Sequence, residues 1–415
     1  MPSYIPRVVD SKLKELLSFA PAVSLTGPRG CGKTSTGRHF ASSEIRLDLG
    51  TPDYDLVNLQ PTVALKGNTP HLIDEWQNVP AVWDQTRRAV DDGCGPGSFI
   101  LTGSAWPYPD ARRHSGAGRI LELPIRTLSS FEQGWSSAEV SLASLLEGQA
   151  TQGARTDTTV SDYANRIVRG GWPGWWDVSV KQAQAFIRGY IDAIVTHDFP
   201  AVGGTRRSPN NFRDFLHAYA TLSAHPSPLI SIGRRLVQEN LAGLGEAAIA
   251  SMHELALRMF LIEDQPAWLP SVRSKTALTA YPKRHLADPS LAAALMGLAP
   301  EHLLRDLETL GFLFESLAVR DLRVYSSTLD AQVKHFREKG GANEIDIIVS
   351  TPQGQWAGFE VKLSHTQVDY AAASLLRIAE KIKQPPLALA VIIPSGISIR
   401  RPDGVWVIPL ATLGP

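Results

Sequence analysis

Eight consecutive residues, Gly27-Pro28-Arg29-Gly30-Cys31-Gly32-Lys33-Thr34, have the types and spacing of a phosphate cradle. They satisfy G-x-x-x-x-G-K-[ST], the phosphate-binding P-loop, at every position. The glycines let the backbone curl so that successive N–H groups face a phosphate. The start of a helix at Lys33-Thr34 adds partial positive charge. Lys33 would reach the β- and γ-phosphates, and the Thr34 hydroxyl would hold Mg²⁺. Further on, His71-Leu72-Ile73-Asp74-Glu75 is an apolar run ending in two acids. Nucleotide hydrolysis needs one carboxylate to hold Mg²⁺ through its water shell and a second to polarise the attacking water. Asp74 is assigned the first role and Glu75 the second. Phe99-Ile100-Leu101-Thr102-Gly103-Ser104 is a third apolar run, ending in hydroxyls. Thr102 and Ser104 are both candidates for a polar sensor of the γ-phosphate. In the basic stretch that follows, Arg119 or Arg113 could reach a neighbouring subunit's γ-phosphate and stabilise transition-state charge. A solvated or DNA-facing basic loop is the competing reading.

A second constellation lies near the C-terminal end. Glu344-Ile345-Asp346-Ile347-Ile348-Val349 and Phe359-Glu360-Val361-Lys362-Leu363 read as two strands joined by turn chemistry around Gln353-Gly354. Folding that hairpin brings Asp346 close to opposite Glu360. Lys362, two residues on, shares the face of Glu360, while Phe359, Val361 and Leu363 take the other face and would pack on a helix. Two carboxylates at that separation can hold Mg²⁺, and a nearby lysine can orient or activate a water. A surface hairpin with a solvated salt bridge is the bland alternative.

The elements that must position these residues are legible as apolar runs. Residues 23–26, 45–49, 71–74, 99–102 and 120–125 alternate with helical stretches, the pattern of a parallel sheet between helices. Residues 137–159 turn to Ser, Thr, Ala, Gly and Gln and read as a flexible join. A helical block follows, with Gly170-Gly171-Trp172-Pro173-Gly174 as a rigid turn, beside which Trp172, Trp175 and Trp176 would pack a lid on the core. Helical patterns at 212–222, 232–241 and 247–261, then strand-like pieces at 266–269 and 277–281, give the order of a winged helix. From residue 300 a long helix leads into strands at 333–336, 344–350 and 356–363, a helix at 368–382, and strands at 387–393 and 405–408. The first six of these elements give the order αβββαβ. The expected domains are thus 1–136, 137–205, 206–299 and 300–415.

The P-loop, Ile73-Asp74-Glu75-Trp76-Gln77, Leu101-Thr102-Gly103-Ser104 and Gly118-Arg119 resemble the bacterial and archaeal AAA-type ATPases whose C-terminal domain has long been of unknown function. Gly170-Gly171-Trp172-Pro173 and the Tyr281-Pro282-Lys283…Asp288-Pro289 segment resemble later landmarks of that family. The resemblance implies an α/β fold: an AAA+ P-loop ATPase core with a helical lid, a winged-helix domain and a nuclease-like end. It also implies ATP as cofactor. Asp…Glu-x-Lys on a hairpin resembles the restriction-endonuclease-like PD-(D/E)xK superfamily, with Ile345-Asp346 in place of the usual Pro-Asp. In that superfamily a helical Glu ahead of the hairpin often joins the metal site, and Glu315 matches it. Glu315, Asp346 and Glu360 would then hold Mg²⁺ or Mn²⁺, and Lys362 would assist cleavage of a phosphodiester. The alternative is an ATP-dependent switch or scaffold whose nuclease-like domain is inactive and only binds a partner.

Partners follow from charge. Lys plus Arg and Asp plus Glu both number 41, so no whole-protein field argues for nucleic acid and any such surface must be local. Arg206-Arg207, Arg234-Arg235, Lys283-Arg284-His285 and Lys334-His335…Arg337…Lys339 are the candidates for a phosphate-tracking groove on DNA. By analogy with ring ATPases, a homo-oligomer such as a hexamer is expected. Cys31 lies inside the P-loop, where a disulfide would jam it, which suits a reducing cytoplasm. No apolar run is long enough to span a bilayer.

Overall fold

The computed structural model describes residues 4–105, 116–203, 207–241, 243–268, 270, 281–338, 341 and 343–415. Its first module is a five-stranded sheet. The strand order is Ser43–Arg46, His71–Asp74, Phe99–Gly103, Ala22–Thr26, Ile120–Pro124, and every pairing is parallel. The three central strands are buried along their whole length, as a parallel sheet covered on both faces requires. Alternate residues feed two separate cores. Ala22, Ile73 and Leu101 pack with Val82 and Trp83 of the Ala81–Asp91 helix, whereas Val23, Leu72 and Ile100 pack with Leu13 and Leu16 of the Asp10–Leu17 helix. Parallel register places Thr26, Asp74 and Gly103 at the same carboxyl edge. That edge is where ligands meet open α/β sheets.

The stretch 137–159 is folded. Val140–Ser141 pairs in parallel with Leu413–Gly414, Arg155–Thr156 pairs antiparallel with Gly396–Ile397, and the Leu142–Leu146 helix lies between them. The expectation of a flexible join fails because a few apolar residues, Val140, Leu142 and Leu145, are fully buried among the Ser and Gly that dominate the composition. Helices Val160–Arg169 and Val180–Ala193 follow, each opened by a capping box, Thr159 with Asp162 and Ser179 with Gln182.

Helices Pro209–Ala220, Ile230–Gln238 and Glu246–Arg258 then lead into an arm whose halves bridge antiparallel at Ile262 with Leu286 and at Gln265 with Lys283. The arm lies on the C-terminal sheet. Gln265 Nε2 donates to the carbonyls of Lys334 and Asp346 at 2.8 and 3.0 Å, and Ala267 bridges His335. The strand expected at 266–269 is therefore reduced to that bridge, and the one expected at 277–281 lies, but for Tyr281, outside the described residues.

The C-terminal module is a six-stranded mixed sheet ordered Ile399–Arg400, Trp406–Pro409, Ala388–Ile393, Trp356–Val361, Glu344–Ser350, Gln332–Arg337. The 20-residue Leu307–Ser326 helix packs against Phe359 and Val361 through Leu313 and Leu317, and the Val368–Ala379 helix packs against Ile348 and Val391 through Leu375 and Ile378.

One buried carboxylate ties these parts together. Asp288 is 0% exposed. Its Oδ2 accepts from Thr127 Oγ1 at 2.7 Å, Gly171 N at 3.1 Å and Arg320 Nη1 at 3.1 Å. Its Oδ1 accepts from Ser290 N at 3.0 Å and Ser290 Oγ at 2.6 Å. Removing one member of a buried ion pair leaves the other charge uncompensated. Asp288→Ala is expected to lower unfolding stability by about 3–5 kcal/mol in chemical denaturation; a loss under about 1 kcal/mol would show that the hub is dispensable.

Candidate functional site

The first site is built at the carboxyl edge of the parallel sheet. Gly27 has φ 148°, and a Cβ there would meet Ile125 O at 2.0 Å, so only glycine fits the entry to the loop. Gly32, at φ 105°, precedes the Lys33–Phe40 helix. The loop is clamped from behind by buried Arg7. Its Nη1 donates to Cys31 O at 2.9 Å, its Nη2 to Arg126 O at 2.6 Å, and its Nε to Glu132 Oε1 at 3.0 Å. Lys33 Nζ donates to the carbonyls of Gly27 and Pro28, both at 2.9 Å, which keeps the ammonium at the mouth of the loop.

Thr34 Oγ1 donates to Asp74 Oδ1 at 2.8 Å, and Thr102 Oγ1 donates to the same oxygen. Thr102 also accepts from Glu75 N at 3.3 Å. Glu75 holds a left-handed backbone, φ 58°, which is uncommon for a residue with a side chain. Its Oε2 accepts from Gln77 Nε2 and, at 3.3 Å, from Ser104 Oγ. Lys33, Thr34, Asp74, Glu75, Thr102 and Ser104 are thus brought into one polar cluster. Such a set fits a nucleotide triphosphate with Mg²⁺: hydroxyl and carboxylate oxygens for the metal, an ammonium and backbone N–H groups for phosphate. Gln77 and Arg7 were missed at the sequence level. Gln77 stood inside the Asp-Glu-Trp-Gln string, but Arg7 carried no local signal.

Arg119 donates to Asp91 Oδ1 at 2.9 Å and to Ala117 O at 3.2 Å. Arg113 lies outside the described residues. Arg29 pairs with Asp198 at 2.7 Å. The Gly170–Gly174 turn lies against the P-loop: Trp172 is the nearest side chain to Gly30, Pro173 approaches Gly32, and Trp172 Nε1 donates to Ser290 Oγ at 3.0 Å. Trp172 stacks on Trp175 with ring centroids 5.6 Å apart, while Trp176 is 37% exposed.

The second site opens into a cleft of about 590 Å³ lined by Glu315, Glu344, Asp346 and Lys362 among others. The strand ladder runs to Phe359 opposite Ile347, which sets Glu360 beside Asp346 one step on. Lys362 Nζ donates to Glu360 Oε2 at 2.6 Å and to Asp346 Oδ2 at 3.5 Å, and Val361 N donates to Asp346 Oδ2 at 3.0 Å. Glu315 joins from the Leu307–Ser326 helix. The sequence reading did not anticipate Lys283, whose Nζ meets Glu315 Oε1 at 2.7 Å and Glu344 Oε1 and Asp346 Oδ1 at 3.0 Å each.

The expected metal set therefore needs correction. Among the described residues, no group of three or more His, Cys, Asp or Glu side chains is placed to hold a metal ion. Glu315, Asp346 and Glu360 are tied to ammonium groups instead, and as arranged they do not fit a divalent cation. Four carboxyl groups face two ammonium groups and the Arg337 guanidinium, which reaches Glu344 Oε2 at 3.5 Å, so full ionisation would still leave net negative charge. Burial, with the neighbouring Asp346 charge, pushes Glu315 and Glu360 each up to about 8. Burial would raise Asp346 as well, but Lys283 and Lys362 hold it below the usual carboxylate range.

The candidate DNA groove is also corrected. Lys283, Arg284, His285 and His335 are buried. Arg284 donates to Ser227 O at 3.1 and 2.6 Å and to Asp264. His285 bonds Ser316 Oγ at 3.0 Å and Gln265 Oε1 at 3.1 Å, and His335 bonds Tyr281 O at 3.0 Å. Arg207 donates to Ser251 Oγ at 2.8 Å. Arg234 and Arg235 are exposed, Lys334 and Arg337 partly so. Arg206 and Lys339 lie outside the described residues.

A family model described as an AAA domain matches residues 20–133, the span that carries the parallel sheet, the P-loop and Asp74-Glu75. Residues 20–133 are an AAA ATPase domain. Residues 160–302 and 310–413 match two domains of unknown function, DUF8612 and DUF4143. Along 371 residues the chain is 24% identical to uncharacterized proteins of Mycobacterium tuberculosis and Mycobacterium bovis, covering 87% of this chain and 74% of each relative. Among solved structures it is similar to a Walker-type ATPase of Pyrococcus abyssi, at 15% identity and TM-score 0.41 over 69% of this chain and 94% of that one. It is also similar to the ORC2 protein of Aeropyrum pernix, at 14% identity and TM-score 0.30 over 74% and 97%. No described helix is long and apolar enough to cross a membrane.

Two measurements test the sites. Glu75→Gln keeps the hydrogen bonds of the AAA site but removes the base, so a fluorescent ATP analogue should bind as before while turnover falls by about a hundredfold or more; turnover near the parent rate would remove Glu75 from that role. For Glu315 and Glu360 the folded pKa lies above the unfolded one. Their contribution is complete below the unfolded value and is lost as pH rises through about 8. The thermal midpoint should fall between about pH 6 and pH 9, and less steeply in Glu360→Gln. Parallel profiles would show that Glu360 is already ionised.

Proposed function

We propose that the chain is a Mg²⁺-dependent ATPase whose AAA domain switches a DNA-binding C-terminal half. The convergence of the Thr34 and Thr102 hydroxyls on one oxygen of Asp74, with Glu75 held beside them, carries the ATPase part. Thr34 and Asp74 would hold Mg²⁺, which neutralises charge on the β- and γ-phosphate oxygens when bound. The P-loop N–H groups and Lys33 bind and orient the phosphates. Glu75 accepts a proton from the attacking water, with Gln77 and Ser104 fixing its carboxylate. Arg119 of a neighbouring copy is the candidate to complete the site, and so a homo-oligomer is part of the reading.

Two observations support the C-terminal part. Within residues 300–415 a long helix, three strands, a helix and a strand follow one another before the short strands that end the sheet, and Asp346, Glu360 and Lys362 converge with Glu315. These favour a nuclease-like domain of the PD-(D/E)xK kind, with the helices at 209–258 and the bridged arm read as a winged helix. Because the carboxylates are tied to Lys283, the arrangement favours the alternative of a switch whose nuclease-like domain is closed, and no cleavage step is assigned to it.

DNA is the proposed partner, with Arg234 and Arg235 as the exposed pair left by the corrected groove. Binding to duplex and branched DNA should weaken steeply with salt. Arg234→Ala with Arg235→Ala should cost several-fold in affinity and lower the salt slope by about two, read by fluorescence anisotropy with and without ATP. Absence of any binding at about 50 mM salt would remove DNA from the reading and leave the ATPase standing.

A further inference from the structure

Lys283 is 1% exposed and belongs to none of the elements that form the C-terminal sheet. It reaches that site from the arm at 262–286. Its ammonium donates to Glu315 Oε1 at 2.7 Å and Asp346 Oδ1 at 3.0 Å and pairs with Glu344 Oε1 at 3.0 Å, so three carboxyl groups surround it. Its backbone is pinned as well: Lys283 N donates to Gln265 O at 3.0 Å and Gln265 N donates to Lys283 O at 2.9 Å. Gln265 in turn fastens the arm to the strand bearing Asp346, through Asp346 O at 3.0 Å. The arm is also gripped by the AAA domain, where Arg126 Nη2 donates to Glu263 Oε1 at 2.6 Å.

Three carboxylate oxygens surrounding one point are the donor set of a hard divalent cation. Here the point is filled by nitrogen. We propose that Lys283 is a tethered cation occupying the carboxylate cluster in place of a divalent metal, so that the cluster takes Mg²⁺ or Mn²⁺ only when the Lys283 ammonium vacates it. The inference rests on the reading of the C-terminal module as a metal site of the nuclease-like kind, and it adds the regulation of that site. Lys362, which stays on Glu360 and Asp346, does not depend on the arm.

The test is Mn²⁺ binding to the nucleotide-free full chain, followed by loss of the free-Mn²⁺ electron paramagnetic resonance signal. The parent and Asp346→Asn should give superimposable isotherms. Lys283→Met and the polar variant Lys283→Gln should each take up about one additional Mn²⁺ per chain, and adding Asp346→Asn should abolish it. Lys283→Arg, which keeps the charge, should stay closed. Uptake by the parent that Asp346→Asn removes would overturn the proposal, because the lysine would then not exclude metal; this comparison stands even if the Lys283 variants do not fold. A folded Lys283→Met or Lys283→Gln with no additional Mn²⁺ would overturn it too. DNA cleavage in Mn²⁺ by Lys283→Met judges the nuclease reading separately: extra metal without cleavage upholds the tethered cation and rejects the nuclease.

Discussion

A carboxylate with no access to water must have all its lone pairs met from within the protein, and Asp288 meets that demand by drawing donors from four places in the chain. Thr127 lies in the AAA domain, Gly171 in the turn after the Val160–Arg169 helix, Ser290 opens the Pro289–Leu295 helix, and Arg320 belongs to the Leu307–Ser326 helix. None of these segments can shift alone without leaving a buried charge or donor unpaired. The position of the Gly170–Gly174 turn follows, because Gly171 is fixed on both sides: its N–H by Asp288, its carbonyl by Leu128 N at 2.6 Å. That turn carries Trp172, which lies next to the P-loop at Gly30. The phosphate loop is therefore seated on a hub that also holds the C-terminal module.

The Leu307–Ser326 helix makes this seating consequential. Arg320 and Asp321 face the AAA residues, with Asp321 Oδ1 accepting from Ser130 N at 3.1 Å, while Glu315, more than one turn earlier, faces Lys283 and the second site. A helix this long moves as a body, and its packing has discrete rather than continuous alternatives. A second connection runs in parallel: Arg126, whose carbonyl is held by Arg7 behind the P-loop, grips Glu263 on the arm that carries Lys283. Glu263 is partly buried, which would raise it, yet Arg126 and Arg323 bring it down to about 2, so the grip persists across neutral pH. Both connections end on the same carboxylate cluster.

What could be read without the fold was whatever chemistry sits in consecutive residues. The P-loop, Asp74-Glu75 and the hydroxyls after Leu101 are each local strings, and parallel register alone brings them to one edge. The hairpin around Gln353-Gly354 was legible for the same reason, since alternation assigns Glu360 and Lys362 to one face. The misreadings share a physical cause. Lys283-Arg284-His285 looks like a surface patch because composition says nothing about burial, and the acids that bury Lys283 come from Glu315, Glu344 and Asp346, far along the chain. Residues 137–159 looked unstructured because their partners, Gly396–Ile397 and Leu413–Gly414, lie more than two hundred residues further along the chain. Long-range pairing leaves no periodic trace in either segment.

Charge explains why the cluster needs a resident cation at all. Four carboxyl groups within one buried neighbourhood repel each other strongly at low effective dielectric, and the repulsion is relieved by protons, by ammonium groups or by a metal. The structure supplies cations, Lys283, Lys362 and Arg337, while burial pushes Glu315 and Glu360 up towards the protonated form. A cation carried on another segment differs from a bound ion in one respect, because its occupancy is set by the position of that segment and not by the ion's concentration. Lys362 directly follows the strand that bears Glu360, and its backbone N–H bonds Ile392 O at 2.9 Å, so its backbone is fixed beside its partner. Lys283 is held through the arm, and the arm is held by Arg126 and Gln265. Of the two lysines, Lys283 is therefore the one carried by a segment outside the sheet that bears Asp346 and Glu360.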